Sequence, residues 1–384
     1  MDSPFVYNKP VTGRWFVGRK NELTILANLL RSGENVVMYE PPKTGKDSLL
    51  QQVFLNMKFS SPPFTIVSLS FMGERTLQGL CMRLGSELIK AHGSSVPDYE
   101  NLVREHLGGT HFVFDEQVYQ DTGSILSLNW DMDDNDIRAI VALPYKLGKS
   151  AGAKVIVCID EFQDLLLCEN GERLCALMQE AFKARTQGDR LAACYVFCGS
   201  RVNAMKELFE HRRYFHRQVE RLAISEIESK DIADSINRGF LNSGKVVDRN
   251  LLMGACQLFH NNVFYINWFA SICDSLTKGY LMEPMLAEAL SDMLAISEPR
   301  FRAMMADLTT FQVSLLRAVV EGNTRFSSAE VIRKYDLNSS ANVRRLKDAL
   351  CKKEIITFAG REQPVIQDPL FEYWATKYFY EINR

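Results

Sequence analysis

Two short stretches of this sequence carry residues whose types and spacing could handle a polyphosphate. The first, Val36–Leu50, begins with the apolar, β-prone run Val36–Tyr39, as expected of a buried parallel strand. A loop punctuated by Pro41, Pro42 and Gly45 follows, and from Asp47 the pattern turns helical, with Leu49, Leu50, Val53 and Phe54 on one side. Strand, tight loop and helix N-terminus make a geometry in which free backbone N–H groups surround phosphates and a lysine reaches their outer oxygens. Lys46 is that lysine, and Lys43, Thr44, Gly45, Asp47 and Ser48 complete the candidate phosphate-binding set. The motif departs from its usual pattern at two places. Glu40 stands where a first glycine belongs, and Asp47 stands where a magnesium-binding Ser or Thr belongs. Ser48 follows, where a second hydroxyl is common. A Pro/Gly turn that merely joins strand to helix is the competing account.

The second stretch is Val155–Asp164, five apolar residues followed at once by Asp160-Glu161. A central strand of this kind delivers its carboxylates to the carboxyl edge of a sheet, where ligands of open α/β sheets bind. In the chemistry of a Walker B strand, Asp160 holds magnesium directly or through water, and Glu161 polarises the attacking water. Asp47 joins Asp160 as a candidate on the metal side. A strand that simply ends in acids is the alternative, weakened by the strand–Gly-Lys–helix unit upstream.

The elements that must position these residues follow in order. An amphipathic helix runs to about Arg31 with Leu23, Leu26, Leu29 and Leu30 as its apolar stripe, and Gly33 ends it. After the loop and its helix, to about Lys58, the pattern predicts a strand over Phe64–Phe71 and a helix over Leu77–Ala91. Residues 92–136 are the least regular. His92–Asn101 is polar and turn-rich, and Phe112–Glu116 resembles a strand ending in two carboxylates, a decoy for a metal-binding strand. Asp131, Asp133, Asp134 and Asp136 read as a solvated helix N-terminus, where carboxylates suit the dipole. A helix from Ile137 is expected to break at Pro144. Arg173–Arg185 reads as helix and Ala192–Cys198 as strand, ending in Gly199-Ser200-Arg201. A basic, aromatic loop over His211–Arg217 leads to a short last strand beginning at Leu222-Ala223-Ile224.

Composition bounds the rest. The chain has 384 residues, 46% hydrophobic and 24% charged, in the range of folded soluble domains, and its length suggests two or three of them. A formal charge of −2 leaves any nucleic-acid-binding face to be local. Of nine cysteines, Cys194 and Cys198 are four apart, but no second pair or histidine cluster accompanies them, so buried reduced thiols are expected rather than zinc. No run approaches the roughly 18 apolar residues of a membrane span, and the start, Met1-Asp2-Ser3-Pro4, lacks the features of a signal peptide. The expectation is a cytoplasmic protein without membrane partners.

Taken together, Phe16-Val17-Gly18-Arg19 with Glu22-Leu23, then Pro-Pro-Lys-Thr-Gly-Lys (Pro41–Lys46), Ile-Asp-Glu-Phe-Gln (Ile159–Gln163), Cys-Gly-Ser-Arg (Cys198–Arg201) and Asp-Pro-Leu-Phe-Glu-Tyr-Trp (Asp368–Trp374) resemble the archaeal-type ATPases of the AAA+/STAND group. That family is abundant in bacteria too, and the chain reads as a bacterial member with a degenerate first motif. The resemblance covers about Phe16–Tyr378. It implies an α/β fold in which a P-loop AAA+ core with a parallel sheet precedes a helical lid and a C-terminal winged helix domain. In these terms residues 1–15 are an N-terminal lead, 16–225 the core with its poorly matched insert at about 92–136, 226–300 lid and linker, and 301–384 the winged helix. It also implies ATP and Mg2+ as ligands, with Val17, Gly18 and Arg19 beside the nucleotide. Ser200 would sense the γ-phosphate, Glu161 would be the catalytic carboxylate, and Arg217 would reach the nucleotide of a neighbouring copy in a homo-oligomer. The family's lid usually has Gly-Asn/His-Pro before an aromatic, whereas here Asn261-Asn262-Val263-Phe264-Tyr265 has neither Gly nor Pro.

In the C-terminal third, Ile227–Thr277 reads as helices, with Phe264, Ile266, Trp268 and Phe269 as lid core. A helical connector to about Leu294 and a linker at Ile296–Pro299 come next. Helices over Phe311–Glu321, Ser328–Tyr335 and Ser340–Lys353, then strands Ile355–Phe358 and Pro364–Gln367 about the turn Ala359-Gly360-Arg361, make a winged helix-turn-helix. Arg344, Arg345 and Lys347 on its third helix are candidate DNA contacts, with Lys352 and Lys353 nearby. Such a module also docks proteins. The sequence thus points to an ATP-binding switch that hydrolyses slowly or only in an oligomer. The alternatives are a degenerate ATPase that keeps ATP as a structural ligand, and a DNA-binding regulator acting through the winged helix.

Overall fold

In the computed structural model, which describes residues 3–59, 61–359 and 363–382, the chain divides into two compact units. One comprises Lys20–Glu40 and Gln52–Ile224; the other comprises Met1–Arg19, Pro41–Gln51 and Ser225–Arg384.

The first unit is built on a parallel sheet of β1 (Asn35–Tyr39), β2 (Phe64–Ser70), β3 (Lys154–Asp160), β4 (Ala193–Gly199) and β5 (Val219–Arg221), in the order β2-β3-β4-β1-β5. Strand β4 therefore stands between β1 and β3, so the strand leading to the Gly-Lys loop and the strand ending in Asp160 are not neighbours. The register pairs Val36 with Val196, Ile159 with Phe197 and Ser70 with Asp160. Every residue of β1 and β4 is buried, which is why these strands read as continuous apolar runs rather than alternating ones. An aromatic cluster supports the carboxyl end of the sheet. Phe162 lies 4.5 Å from Phe197 between ring centroids, and Phe197 stacks on Phe215 at 5.7 Å. Burying each ring is worth about 1.5–3 kcal/mol, so the chain just past Glu161 is firmly anchored. The first helix, Lys20–Ser32, stops where Gly33 takes φ +77; a Cβ there would come within 1.8 Å of the Arg190 carbonyl oxygen.

Several expectations are corrected in this unit. The helix Asp134–Ala151 runs through Pro144. An interior proline costs about 3 kcal/mol, but Ile140, Val141, Leu143, Tyr145 and Leu147 on either side are all buried, and their packing outweighs the lost hydrogen bond. The polar stretch after His92 holds a helix, Val96–Leu107, capped by the Ser95 hydroxyl accepting from Asp98 N–H. The last strand is Val219–Arg221 rather than a segment starting at Leu222, although Leu222 N–H still donates to Val37 C=O at 3.0 Å. The acidic cluster does open a helix, but it is not simply solvated. Asp133 and Asp136 form a capping box, and Asp136 is fully buried, accepting from His111 N–H at 2.8 Å and lying 2.9 Å from His111 Nδ1. Burial works to raise the Asp136 carboxyl; the hydrogen bonds from Asp133 and His111 outweigh it and hold it below the usual carboxylate range, while Asp136 raises the His111 imidazole.

The second unit is helical, with a two-stranded wing. Helices Ser229–Asn242, Arg249–Leu258 and Val263–Leu276 precede a single long helix, Glu283–Ala306, which passes through the expected linker Ile296–Pro299. Then come Thr310–Val320, Ala329–Lys334 and Ser340–Lys352, and an antiparallel pair, Ile356–Ala359 with Gln363–Ile366. The tip of that expected turn, Gly360-Arg361, lies outside the described residues. One hydrophobic core runs through the unit from Phe5 and Ile232 to Phe371 and Trp374. Ile266 and Phe269 sit in it as expected, whereas Phe264 and Trp268 are only partly buried. All nine cysteines are free thiols, eight of them buried. Among the described residues, no helix is long and apolar enough to cross a membrane.

Candidate functional site

The Gly-Lys loop belongs to the second unit, and there it lines a cavity of about 280 Å3. That volume is near the lower end of the ~300–1,000 Å3 of small-ligand pockets. The loop's own backbone shapes its wall. Gly45 sits at φ +85 and Lys43 at φ +67, a left-handed conformation that costs a non-glycine residue about 1–2 kcal/mol. The helix Lys46–Lys58 starts immediately after, so the N–H groups of its first turn have no intrahelical acceptor. Side chains tie down the loop's carbonyl groups: Lys46 Nζ donates to Pro41 C=O at 3.2 Å, Thr44 Oγ1 to the same oxygen at 2.9 Å, and the Arg19 guanidinium to Thr44 C=O at 2.5 Å and Gly45 C=O at 3.3 Å. Lys46 is only 8% exposed, held beside the loop rather than swinging in solvent. Asp47 is exposed and, with Ser48, lines the cavity.

The N-terminal lead closes another wall, which sequence reasoning missed. Val11 N–H donates to Ser48 Oγ at 3.1 Å, so the second hydroxyl of the loop is held by the lead. Tyr7 stacks near Trp268 at 6.2 Å and meets Phe264 edge-on at 5.8 Å, while Phe5 packs on Phe240 at 4.7 Å. The apolar run Phe5-Val6-Tyr7 was the available signal. Val17 and Arg19 line the cavity; Gly18 does not, and its φ of +68 places it against Ile227.

Lys43 leads away from the loop. Its ammonium lies 4.5 Å from the Phe264 ring centroid, 4.8 Å from that of Tyr265, and 3.3 Å from Tyr265 Oη. Burial lowers the lysine's pKa below its ordinary value, opposed by Asp368 and aided by Arg300. Tyr265 Oη in turn donates to Asp368 Oδ1 at 2.8 Å, and Arg300 donates to Asp368 Oδ2 at 2.5 Å. Asp368 also caps the helix Pro369–Trp374 through Leu370 and Phe371 N–H. The Asp-Pro motif near the C-terminus is thus linked residue by residue to the loop.

In the sheet unit, the departure at Glu40 has a physical account. Its carboxylate accepts from Arg221 at 2.9 Å and from Ile224 N–H at 3.3 Å. The same guanidinium stacks 3.3 Å from the Tyr39 ring centroid and donates to Tyr39 C=O at 3.0 Å. A side chain is accommodated at this position because the sheet-edge arginine anchors it.

Asp160 ends β3, and Glu161 follows at φ +50, another left-handed non-glycine residue. Glu161 Oε2 accepts from Ser200 Oγ at 2.9 Å, so the structure brings those two candidates together at the ends of adjacent strands. Arg217 does not join them. It is exposed at φ +61 and has no side-chain partner among the described residues, whereas Arg212 in the same loop is bound by Glu172 and Glu207. The decoy strand resolves as a two-residue pair, Phe112–Val113 with Ser127–Leu128. Asp115 caps the helix Glu116–Thr122, accepting from Gln117 and Val118 N–H at 2.9 and 3.1 Å. Ligand atoms of His111, Asp133 and Asp136 lie within 4.8 Å of one another, a closeness the capping box and the His111–Asp136 hydrogen bond account for.

On the winged helix, Arg344 and Arg345 are exposed and without ion-pair partners among the described residues. Lys347 is half-buried over the Phe358 ring of the wing at 4.4 Å, and Lys353 pairs with Asp307, which leaves the two arginines as the free cations of the expected set together with exposed Lys352.

Over residues 299–377 the chain matches a family described as a probable winged helix domain. No curated protein matches the chain by sequence. Among solved structures, it is similar to a Walker-type ATPase of Pyrococcus abyssi, with 16% identity, a TM-score of 0.64, and 96% of this chain and 99% of that one covered. It is also similar to the ORC2 protein of Aeropyrum pernix in its ADPNP-ADP complexes (14% identity, TM-score 0.54, 96% and 93% covered) and in its ADP form (13% identity, TM-score 0.52, 92% and 90% covered). At such identities the likeness is one of fold: a mixed α/β architecture with a central parallel sheet, many helices and a C-terminal winged helix domain.

Proposed function

We propose that this chain binds ATP with Mg2+ and acts as a nucleotide switch whose hydrolysis is slow or depends on a homo-oligomer. The observation that carries the reading is the cavity lined by Lys43–Ser48, Val17 and Arg19, with Lys46 buried beside a loop whose carbonyls are already tied down. In this reading the first-turn N–H groups and Lys46 hold the phosphates, and Val17 and Arg19, which line the cavity, support the nucleotide. The ADPNP-ADP complexes of the structurally similar ORC2 protein support it. Asp160 is assigned to the magnesium ion. Glu161 takes a proton from water as that oxygen attacks the γ-phosphorus; the bond to the β,γ-bridging oxygen breaks, and ADP and phosphate leave. Ser200 senses the γ-phosphate. Arg217, exposed and without a side-chain partner among the described residues, suits a residue that acts on the nucleotide of a second copy.

Asp47 sets the metal requirement. Beside phosphate oxygens its carboxylate repels, and a cation must offset it. Titration calorimetry should therefore find ATP binding with Mg2+ and little without it; no binding in either condition refutes the reading. Asp47→Thr is expected to tighten metal-free binding about fivefold, since one exposed charge at close range is worth on the order of 1 kcal/mol. Unchanged metal-free affinity would place Asp47 away from the phosphates.

A second reading, DNA binding through the winged helix, is favoured by Arg344 and Arg345 on its third helix, exposed and without ion-pair partners among the described residues. Replacing both with alanine should lower affinity for duplex DNA uniformly across sequences and reduce the salt slope by about two, measured by fluorescence anisotropy. A wild-type chain with no salt-dependent binding would leave the domain as a protein-docking module.

A further inference from the structure

Gln163, two residues past Glu161, has no part in the reading above, yet its placement is unusual. It is fully buried in the short 3-10 helix Phe162–Leu167. Its Nε2 donates to Glu161 Oε2, the same oxygen that accepts from Ser200 Oγ. Both donors converge on that one oxygen, and the other, Glu161 Oε1, has no hydrogen-bond partner among the described residues. At its own far side, Gln163 Oε1 is buried with no donor among the described residues. It fills the space over Gly199, where a Cβ would come within 2.4 Å of it. A buried acceptor left unsatisfied weakens a fold, and an apolar side chain of equal length would avoid that. Stability therefore does not account for a glutamine here, whereas its contact with Glu161 does.

We propose that Gln163 is a positioning residue: with Ser200 it clamps Glu161 Oε2 and so presents Oε1 to the water. This rests on Glu161 being the water-activating carboxylate. A group holding a base in its reactive geometry affects turnover more than binding, and a misplacement of about 1 Å costs roughly a hundredfold.

The test is steady-state ATP hydrolysis by the full chain, alongside thermal melting. Gln163→Met keeps the volume and removes the donor. It is expected to lower kcat ten- to a hundredfold, leave KM for ATP within about twofold, and leave Tm unchanged or higher. Gln163→Asn, whose amide is one methylene short of Glu161, is expected to lose kcat likewise and serves should the methionine variant misfold. Wild-type or raised kcat in either variant overturns the proposal, as does a loss of kcat that comes with a raised KM and a lowered Tm, the mark of a merely structural role. Glu161→Gln separates the two levels. If it is inactive while Gln163→Met is not, only the positioning role fails; if it turns over at the wild-type rate, the assignment of Glu161 fails, and the proposal with it.

Discussion

Lys46→Ala is expected to weaken ATP binding by about a hundredfold or more, with little change in the fold. The ammonium is desolvated before any ligand arrives, being 8% exposed and held at 3.2 Å by the Pro41 carbonyl. Phosphate oxygens would give this ammonium charged acceptors, and each charge-assisted hydrogen bond is worth about 1.5–3 kcal/mol. Because the lysine is already placed, little side-chain entropy is spent on capture. Titration calorimetry with MgATP measures the loss directly. An unchanged dissociation constant would mean that the loop does not hold phosphate, and the cavity would need another ligand.

The second large effect is expected from Glu161→Gln: ATP affinity within a few-fold of wild type, and turnover reduced by about 100- to 10,000-fold. The amide keeps the volume of the carboxylate and still accepts from Ser200, whose hydroxyl lies 2.9 Å away, but it cannot take a proton from water. Single-turnover and steady-state phosphate release would both record the loss. Equal rates in variant and wild type would move the proton acceptor elsewhere.

What the sequence made legible follows from what each residue's neighbours demand. Strands buried on both faces, such as Val36–Tyr39 and Val155–Ile159, announce themselves because nothing polar is tolerated in them. The loop Lys43–Ser48 and the pair Asp160-Glu161 stood out by their order, one after a strand and before a helix and the other at a strand's end, while a plain turn and a strand merely ending in acids stayed as competing accounts. Pro144 misled because local backbone chemistry predicts a break, while the continuous helix is decided by buried neighbours distant in sequence. The helix Val96–Leu107 was hidden by its polar exposed face. Within each unit, the partners of the candidate residues were the least readable. Arg221 beneath Glu40, Tyr7 beside Phe264, and Asp368 beyond Tyr265 are set by tertiary packing, and no local pattern marks them.

The unit that contains the Gly-Lys loop is stitched from Met1–Arg19, Pro41–Gln51 and Ser225–Arg384, and this has a consequence for its synthesis. The Lys43–Tyr265 contact joins residues 222 apart in the chain, and the Ser3–Ser271 contact joins residues 268 apart. At ~5–20 residues per second, a ribosome needs on the order of ten to forty seconds to make the stretch between the loop and the helices that complete its unit. During that time the strands Asn35–Gly199 can pair as they emerge, because their partners lie within the portion already made. The lead and the loop must wait for the second half of the chain. Such long-range closure slows folding, so the cavity, whose lining extends to Phe264, forms after the sheet, and a nascent chain or one truncated before Phe264 would hold a finished sheet well before it held a ligand.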